Sequence, residues 1–145
     1  MTYHFENPSQ ETLFNYLRQA KTIAVVGLSS RTETVAYQVS HIMQEAGYKI
    51  IPVNPKLAGE TILGETVYAS LLDITEPIDI VNVFRRSEFL PEVAGDFVKT
   101  EANVFWAQLG LENEDAEQIL REAGREHIVM NRCIKVEYQA MKALS

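Results

Sequence analysis

The sequence predicts an α/β fold, a three-layer doubly wound parallel sheet with helices packed on both of its faces. Short runs of apolar and β-branched residues alternate along the chain with longer amphipathic stretches, and this is the order of strands joined by helical crossovers. The run Ile78–Phe84 is largely apolar at odd and even positions alike. Such a run indicates a strand that is buried on both faces, as in a parallel sheet between two helical layers.

The predicted strands are short, and turn-forming residues follow most of them. The five main runs are Thr22–Leu28, Tyr48–Val53, Ile78–Phe84, Asn103–Gln108 and Ile128–Asn131. A further short strand is expected near Ile62–Val67, in a loop that contains Gly59 and Gly64.

Helical periodicity fills the segments between the strands. In the segment Thr34–Ala46 the apolar residues recur at the spacing of one helix face, and Gly47 stands where a helix C-cap belongs. Ser87 is predicted to be the N-cap of the helix that follows it. The predicted helices are Gln10–Ala20, Thr34–Ala46, Glu88–Thr100, Glu114–Ala123 and Lys135–Ala143.

Length, charge and cysteine content exclude several classes of protein. A chain of 145 residues predicts one domain that spans residues 1–145. Its net charge of -7 argues against nucleic acid as a partner, because phosphates would be repelled. The single cysteine, Cys133, excludes an internal disulfide and a cysteine-rich zinc site.

We find neither a signal peptide nor a membrane-spanning stretch in the sequence. We therefore expect a cytoplasmic protein without a membrane partner, either a monomer or a weak homodimer.

The loop after the first strand is the first candidate binding element, because ligands of doubly wound sheets bind at the carboxyl ends of the strands. It consists of Gly27, Leu28, Ser29, Ser30 and Arg31. Small residues before a helix expose backbone N–H groups to an anion, and the serine hydroxyls and the arginine add donors. The loop matches neither the dinucleotide fingerprint nor a Walker A loop. The alternative is a capped turn without a ligand.

The second strand ends in Asn54, Pro55 and Lys56, and Lys49 lies at its beginning. Proteins that bind NAD commonly place an acid at this strand end to bind the ribose hydroxyls, and no acid is present here. A lysine suits a phosphorylated ribose better than a bare one. The alternatives are a simple Asn-Pro turn and two solvated surface lysines.

The strand Ile78–Phe84 is followed by Arg85 and Arg86. Arginine is suited to bidentate contact with phosphate and to stacking on a base. Phe84, Arg85 and Arg86 are therefore candidate ligand contacts. The alternative is a helix start held by salt bridges.

The last two strand ends contribute Gln108, Asn131, Arg132 and Cys133. Gln108 offers a side-chain amide to a ligand. Cys133 is either a reactive thiol near a helix N-terminus or, more simply, a small apolar group in the core. The three histidines lack the spacing of metal ligands, and we find no acid–base pair. We therefore expect no metal site and no catalytic residue.

Six segments together resemble a known family. In order they are VVGLSS, GYKIIPVNP, VYASLLDI, IDIVNVFRRSE, WAQLG and VMNRCIKVEY. They resemble the stand-alone CoA-binding proteins of bacteria and archaea, a family similar to the CoA-binding domain of the succinyl-CoA synthetase α subunit. The resemblance extends from about Ala20 to Tyr138 and implies a Rossmann-type domain.

The resemblance also implies a role for each candidate. The loop Gly27–Arg31 would bind the diphosphate of coenzyme A, and the Asn54-Pro55 turn with Lys56 or Lys49 would lie near the ribose 3′-phosphate or the adenine. Phe84, Arg85 and Arg86 would line the other side of the crevice. Gln108 and the turn formed by Asn131, Arg132 and Cys133 would border the path of the pantetheine arm.

The chain departs from the family pattern in the first loop and at the last strand. The proline-rich stretch expected before Tyr37 is absent, Glu33 would oppose phosphate, and Asn131 replaces the more usual aspartate. The synthetase's ligase domain and phosphorylated histidine have no counterpart in the sequence, so synthetase activity is not expected.

The function expected from the sequence is non-catalytic binding of coenzyme A or an acyl-CoA. Three alternatives stay open. They are an NAD(P)-binding protein, a regulatory interaction domain that has lost its ligand, and CoA-dependent chemistry through Cys133.

Overall fold

A computed structural model describes residues 2–145, and seven strands, five α-helices and three short 3-10 turns are assigned in them. The strands are β1 (Thr22–Val26), β2 (Lys49–Val53), β3 (Thr61–Ile62), β4 (Glu65–Thr66), β5 (Ile80–Val83), β6 (Val104–Ala107) and β7 (Ile128–Val129). The helices are α1 (Gln10–Gln19), α2 (Val35–Glu45), α3 (Leu90–Phe97), α4 (Glu114–Glu122) and α5 (Ile134–Ala143). None of the helices in this range is long and apolar enough to cross a membrane.

The central sheet has five parallel strands in the order β2-β1-β5-β6-β7. Helices α1, α2 and α5 cover one face, and α3 and α4 cover the other. Every residue of β5 is buried. Successive side chains of the strand point to opposite faces of the sheet, so that Ile80 packs in one core and Val81 in the other. The structure therefore confirms the predicted three-layer doubly wound sheet and the double burial of this strand.

Asp79 sets the register of three strands where they begin. Its carboxylate oxygen Oδ2 accepts hydrogen bonds from the backbone N–H groups of Lys21 (2.7 Å) and Thr22 (3.0 Å). Its own N–H donates to the carbonyl oxygen of Thr22, and its carbonyl accepts from Val104. The polar residue in the apolar run Ile78–Phe84 thus ties the beginnings of β1, β5 and β6 together.

The predicted short strand Ile62–Val67 is wrong. The segment instead forms an antiparallel hairpin from β3 and β4, which is separate from the central sheet. Leu63 and Gly64 between them have φ values of 53° and 79°, and two consecutive residues with positive φ reverse the chain in a tight hairpin turn. Apolar patterning predicts extended backbone here but not this reversal.

The predicted N-cap at Ser87 is also wrong. Ser87–Phe89 forms a short 3-10 turn, and α3 begins at Leu90 with proline in its first turn, a position that proline favours. The Ser87 hydroxyl instead accepts a hydrogen bond from the N–H of Glu112 (3.2 Å). Ser87 therefore joins two loops rather than capping a helix.

Tyr48 links the first helix to the sheet. Its hydroxyl donates a 2.6 Å hydrogen bond to the carbonyl oxygen of Leu17, and burial raises the pKa of Tyr48 to about 12. In an unfolded chain the phenol has a pKa of about 10. The folded protein therefore keeps a proton that the unfolded chain loses between these two pH values.

We expect the free energy of unfolding to fall as the pH rises from about 10 to 12, because native Tyr48 stays protonated in this range. Tyr48→Phe should show a smaller fall, and at neutral pH it should be less stable by about 1 kcal/mol through the lost hydrogen bond. Urea unfolding followed by circular dichroism at these pH values measures both effects. An equal fall in the two proteins would contradict the assignment to Tyr48.

Candidate functional site

The candidate site lies where the strand order reverses, between β1 and β5. From β1 the chain moves outward to β2, and from β5 it moves the other way to β6 and β7. The two loops that leave β1 and β5 therefore diverge and open a crevice at the carboxyl ends of the strands, which is where such sheets bind ligands.

Gly27 lies where the ends of β1, β2 and β5 come close together. Its N–H donates to the carbonyl oxygen of Val53 (2.9 Å), and its φ is +90°. A Cβ atom built on Gly27 would lie 2.7 Å from the carbonyl oxygen of Phe84, far inside van der Waals contact. Glycine is therefore required here both for its backbone conformation and for the close approach of the β5 loop.

The rest of the first loop is ordered mainly by its own hydrogen bonds. Leu28 is buried, and the Ser29 hydroxyl accepts from the N–H of Arg31 (3.0 Å), whereas Ser30 is exposed. The side chain of Thr34 accepts from the N–H of Tyr37 and caps α2. The hydroxyl of Ser29 thus supports the turn, and Thr34 rather than either serine is the N-cap.

Asn54 joins the ends of β1 and β2. Its Nδ2 donates to the carbonyl oxygen of Leu28 (3.1 Å), and its Oδ1 accepts from the N–H of Lys56 (3.0 Å). Pro55 and Lys56 then form a 3-10 turn. Both ends of the Asn54 amide are engaged, so this side chain positions the two loops around the crevice.

Lys49 does not join the other candidates. It is the first residue of β2, at the amino edge of the sheet, about 13 Å from the other end of the strand at the usual rise per residue. Its ammonium lies 2.7 Å from a carboxylate oxygen of Glu76, and this hydrogen bond raises the pKa of Lys49. Lys49 is therefore too far from the crevice to contact a ribose phosphate, contrary to the prediction. Lys56 is the lysine that lines the crevice.

Three of the four arginines predicted near the crevice each have a carboxylate partner close in sequence, and the six side chains of these pairs are at least partly exposed. The pairs are Arg31–Glu33 (2.9 Å), Arg85–Glu92 (3.4 Å) and Arg86–Glu88 (3.8 Å). Exposed pairs of this kind contribute little stability. Each guanidinium can therefore exchange its carboxylate for another anion at small cost.

Arg85 is the most strongly held of the three. Its guanidinium carbon lies 4.5 Å from the centre of the Phe89 ring, and only 31% of its side chain is exposed. Its Cγ also lies 3.3 Å from the position that a Cβ on Gly27 would take. The side chain is thus packed directly beside the first loop.

Two hollows open at this edge of the sheet, and Arg85 lines both. The first, of about 440 Å³, carries charged groups from two sides and is called the charged hollow. The second, of about 520 Å³, has a mainly apolar surface and is called the apolar hollow. The charged hollow is lined by Val26, Gly27, Val53, Asn54, Pro55, Lys56, Ala69, Ser70, Leu71, Arg85, Glu92, Val93 and Asp96. The apolar hollow is lined by Val35, Phe84, Arg85, Arg86, Gln108, Leu109, Leu111 and Cys133.

Gln108 is buried at the wall of the apolar hollow, with 4% of its surface exposed. Its Oε1 accepts a 3.0 Å hydrogen bond from the N–H of Ile134 and so caps α5. None of the hydrogen bonds within residues 2–145 uses its Nε2. The Oε1 atom of Gln108 therefore stabilises the start of α5, and the Nε2 atom is free to donate a hydrogen bond.

Asn131 supports the neighbouring loop and does not line either hollow. Its φ is 58°, and its Oδ1 accepts from the N–H of Gly110 (2.7 Å). Aspartate offers the same acceptor and tolerates the same left-handed backbone. The Asn131 departure from the family pattern therefore leaves this turn intact.

Arg132 is likewise engaged locally. Its Nη1 donates to the carbonyl oxygen of Asn131 (2.8 Å), and its own carbonyl accepts from the indole N–H of Trp106 (2.9 Å). Cys133, by contrast, is partly exposed and borders the apolar hollow. Of the three residues in this turn, the structure brings only Cys133 to the crevice.

Sequence reasoning missed the acids and the apolar residues that line the crevice. Glu92 and Asp96 are four residues apart on α3 and face the charged hollow together, and this spacing was visible in the sequence. Val35 and Leu109, with 66% and 68% of their surface exposed, border the apolar hollow. In residues 2–145 we find no group of three or more histidine, cysteine or carboxylate side chains placed to hold a metal ion.

Gly27→Ala should lower the free energy of unfolding by about 3 kcal/mol, since a strained positive φ and a steric clash add together. The matched control is Gly59→Ala, at nearly the same φ (+88°) but with nothing within 4 Å of the new Cβ. The control should lose only about 1 kcal/mol. Urea unfolding measures both, and equal losses would show that the contact with Phe84 carries no energy.

A family model and a full-length relative both match nearly the whole chain. The model of a family described as CoA binding domain matches residues 21–139. The chain is 52% identical over 137 residues to the uncharacterized protein YneT of Bacillus subtilis (strain 168), covering 94% of this chain and 99% of that protein.

A second relative is much longer. The chain is 31% identical over 129 residues to the α subunit of the ADP-forming acetate–CoA ligase I of Pyrococcus furiosus. The match covers 82% of this chain but only 27% of the length of the ligase subunit.

Solved structures agree with the fold. A protein from Thermus thermophilus superimposes with a TM-score of 0.87 at 37% identity, over 92% of this chain and 99% of that one. A hypothetical protein from Pyrococcus horikoshii OT3 superimposes with a TM-score of 0.88 at 32% identity, over 97% and 99% of the two chains.

Proposed function

The chain belongs to the CoA binding domain family, and we propose on that basis that it binds coenzyme A or an acyl-CoA without acting on it. One observation carries the proposal. The charged hollow and the apolar hollow lie side by side at the carboxyl edge of the sheet and share Arg85. Coenzyme A has the matching two halves, a phosphorylated nucleotide and a largely uncharged pantetheine arm.

The charged hollow suits the nucleotide half. Lys56 and Arg85 supply positive charge, and Gly27 of the first loop lines this hollow. The start of α2 lies beside it, where Val35 borders the apolar hollow. The backbone N–H groups of such a loop and the helix N-terminus favour the diphosphate, while a guanidinium can hold a phosphate with two hydrogen bonds. In our proposal Arg85 and Lys56 bind the ribose 3′-phosphate.

The end of β2 favours this ligand over NAD. An acid that could bind a bare ribose is absent there, and the residue present, Asn54, has both ends of its amide engaged by Leu28 and Lys56. A phosphorylated ribose needs cations rather than an acid, and Lys56 lies in the same turn. We therefore rank coenzyme A above NAD(P).

Absence of catalysis is part of the proposal. Glu92, one of the two acids that line the charged hollow, is paired with Arg85, so it is placed as a charge partner rather than as a general base. Incubating acetyl-CoA with the protein and assaying for released thiol tests this point. Turnover that is lost on alkylation of Cys133 would instead support chemistry through the thiol.

Coenzyme A should bind about tenfold more tightly than dephospho-CoA, because the latter lacks the phosphate that pairs with Arg85 and Lys56. NAD should bind more weakly than either. Titration calorimetry at one fixed salt concentration measures all three. Equal affinity for coenzyme A and dephospho-CoA would remove the 3′-phosphate from the proposal, and no binding at millimolar coenzyme A would refute the proposal as a whole.

Glu92→Gln should raise the affinity for coenzyme A by about two- to fivefold, because the carboxylate no longer competes with the ligand for Arg85. The matched control is Glu101→Gln, which makes the same charge change at an exposed position on the opposite edge of the sheet. It should leave the affinity nearly unchanged.

A double-mutant cycle isolates the pair. Arg85→Gln should weaken binding, and adding Glu92→Gln to it should give no gain, because the carboxylate then has no arginine to occupy. The same gain from Glu92→Gln in the presence and absence of Arg85 would show that the acid acts only through overall charge.

A further inference from the structure

The apolar hollow is lined mainly by apolar side chains, several of which are exposed. Val35 and Leu109 each leave about two thirds of their surface open, and Phe84 and Leu111 extend the lining. Exposed apolar side chains gathered in one concave place are characteristic of a binding site, whereas single ones are ordinary. We therefore expect the apolar hollow to bind an apolar group.

Gln108 places one polar group in this lining. Its Oε1 accepts from the N–H of Ile134, and its Nε2 has no partner within residues 2–145. This nitrogen is not fully buried, and the residue lines the apolar hollow. An accessible amide donor within an apolar lining can donate a hydrogen bond to an acceptor on the occupant. The occupant should therefore carry a hydrogen-bond acceptor at the edge of an apolar group.

The position of Arg85 indicates how a ligand would reach the apolar hollow. Arg85 lines both hollows, so a ligand whose nucleotide half lies in the charged hollow would pass Arg85 to reach the apolar one. What reaches furthest along such a ligand is its sulfur end. Free coenzyme A ends there in a thiol, whereas an acyl-CoA ends in a carbonyl group followed by a hydrocarbon chain.

Resting on the proposed function, we propose that the apolar hollow holds the sulfur end of the pantetheine arm together with an acyl group, and that the preferred ligand is an acyl-CoA of short to medium chain length rather than free coenzyme A. The acyl chain packs against Val35, Leu109 and Leu111. The thioester carbonyl oxygen accepts a hydrogen bond from Nε2 of Gln108. No bond is made or broken in this assignment.

Calorimetry with three ligands tests the assignment on the wild-type protein. Hexanoyl-CoA should bind about tenfold more tightly than coenzyme A, which corresponds to burying about two methylene groups fully. S-hexyl-CoA, a thioether without the carbonyl oxygen, should bind several-fold more weakly than hexanoyl-CoA, since the Gln108 donor then lacks its acceptor.

Two variants separate the acyl chain from the carbonyl group. Leu109→Ser should reduce the preference for hexanoyl-CoA over coenzyme A, whereas Leu144→Ser, at a similarly exposed leucine near the end of α5, should not. Gln108→Glu keeps an oxygen to accept from the N–H of Ile134 but loses the donor. It should abolish the preference for the thioester over the thioether.

The outcomes distinguish this inference from the function on which it rests. Equal affinity of the wild-type protein for coenzyme A and hexanoyl-CoA would overturn the acyl site and leave binding of coenzyme A standing. An undiminished preference in Leu109→Ser would overturn the placement of the chain. Failure of the wild-type protein to bind either ligand would refute the proposed function itself.

Discussion

The close approach of Gly27 to the end of β5 is the constraint on which the crevice depends. Its N–H holds the end of β2, and the missing side chain lets the carbonyl oxygen of Phe84 come within a distance that no Cβ permits. The loops after β1, β2 and β5 therefore meet at one residue. Because they meet there, Asn54 can join two of them and Arg85 can pack beside the first.

Three of the arginines at this edge are paired with carboxylates. Arg31, Arg85 and Arg86 each have a nearby glutamate, so a protein of net charge -7 presents a crevice that is not strongly positive. Glu33, which by itself would repel a phosphate, has Arg31 as its partner. An anionic ligand then competes with weak, exposed ion pairs, and the strength of its binding depends on how easily those pairs open.

Much of the fold follows from local sequence patterns, and the exceptions have local causes. Alternating strand and helix periodicities predicted the five parallel strands and both helical layers. The hairpin of β3 and β4 escaped prediction because Leu63 adopts a positive φ, which leucine rarely does. Ser87 was mistaken for a helix cap because serine at a strand end favours that role, while the start of α3 is set by the proline that follows Leu90.

The sequence alone determined the fold class and the edge at which most candidate residues gather, because both depend on periodicity and on which residues follow each strand. It also supplied the family resemblance. Only the tertiary structure decided which side chains are free to act. Hydrogen bonds between distant segments engage Asn54 and Asn131, and an ion pair at the far edge holds Lys49. Those partners are set by three-dimensional packing, as are the two hollows that converge on Arg85.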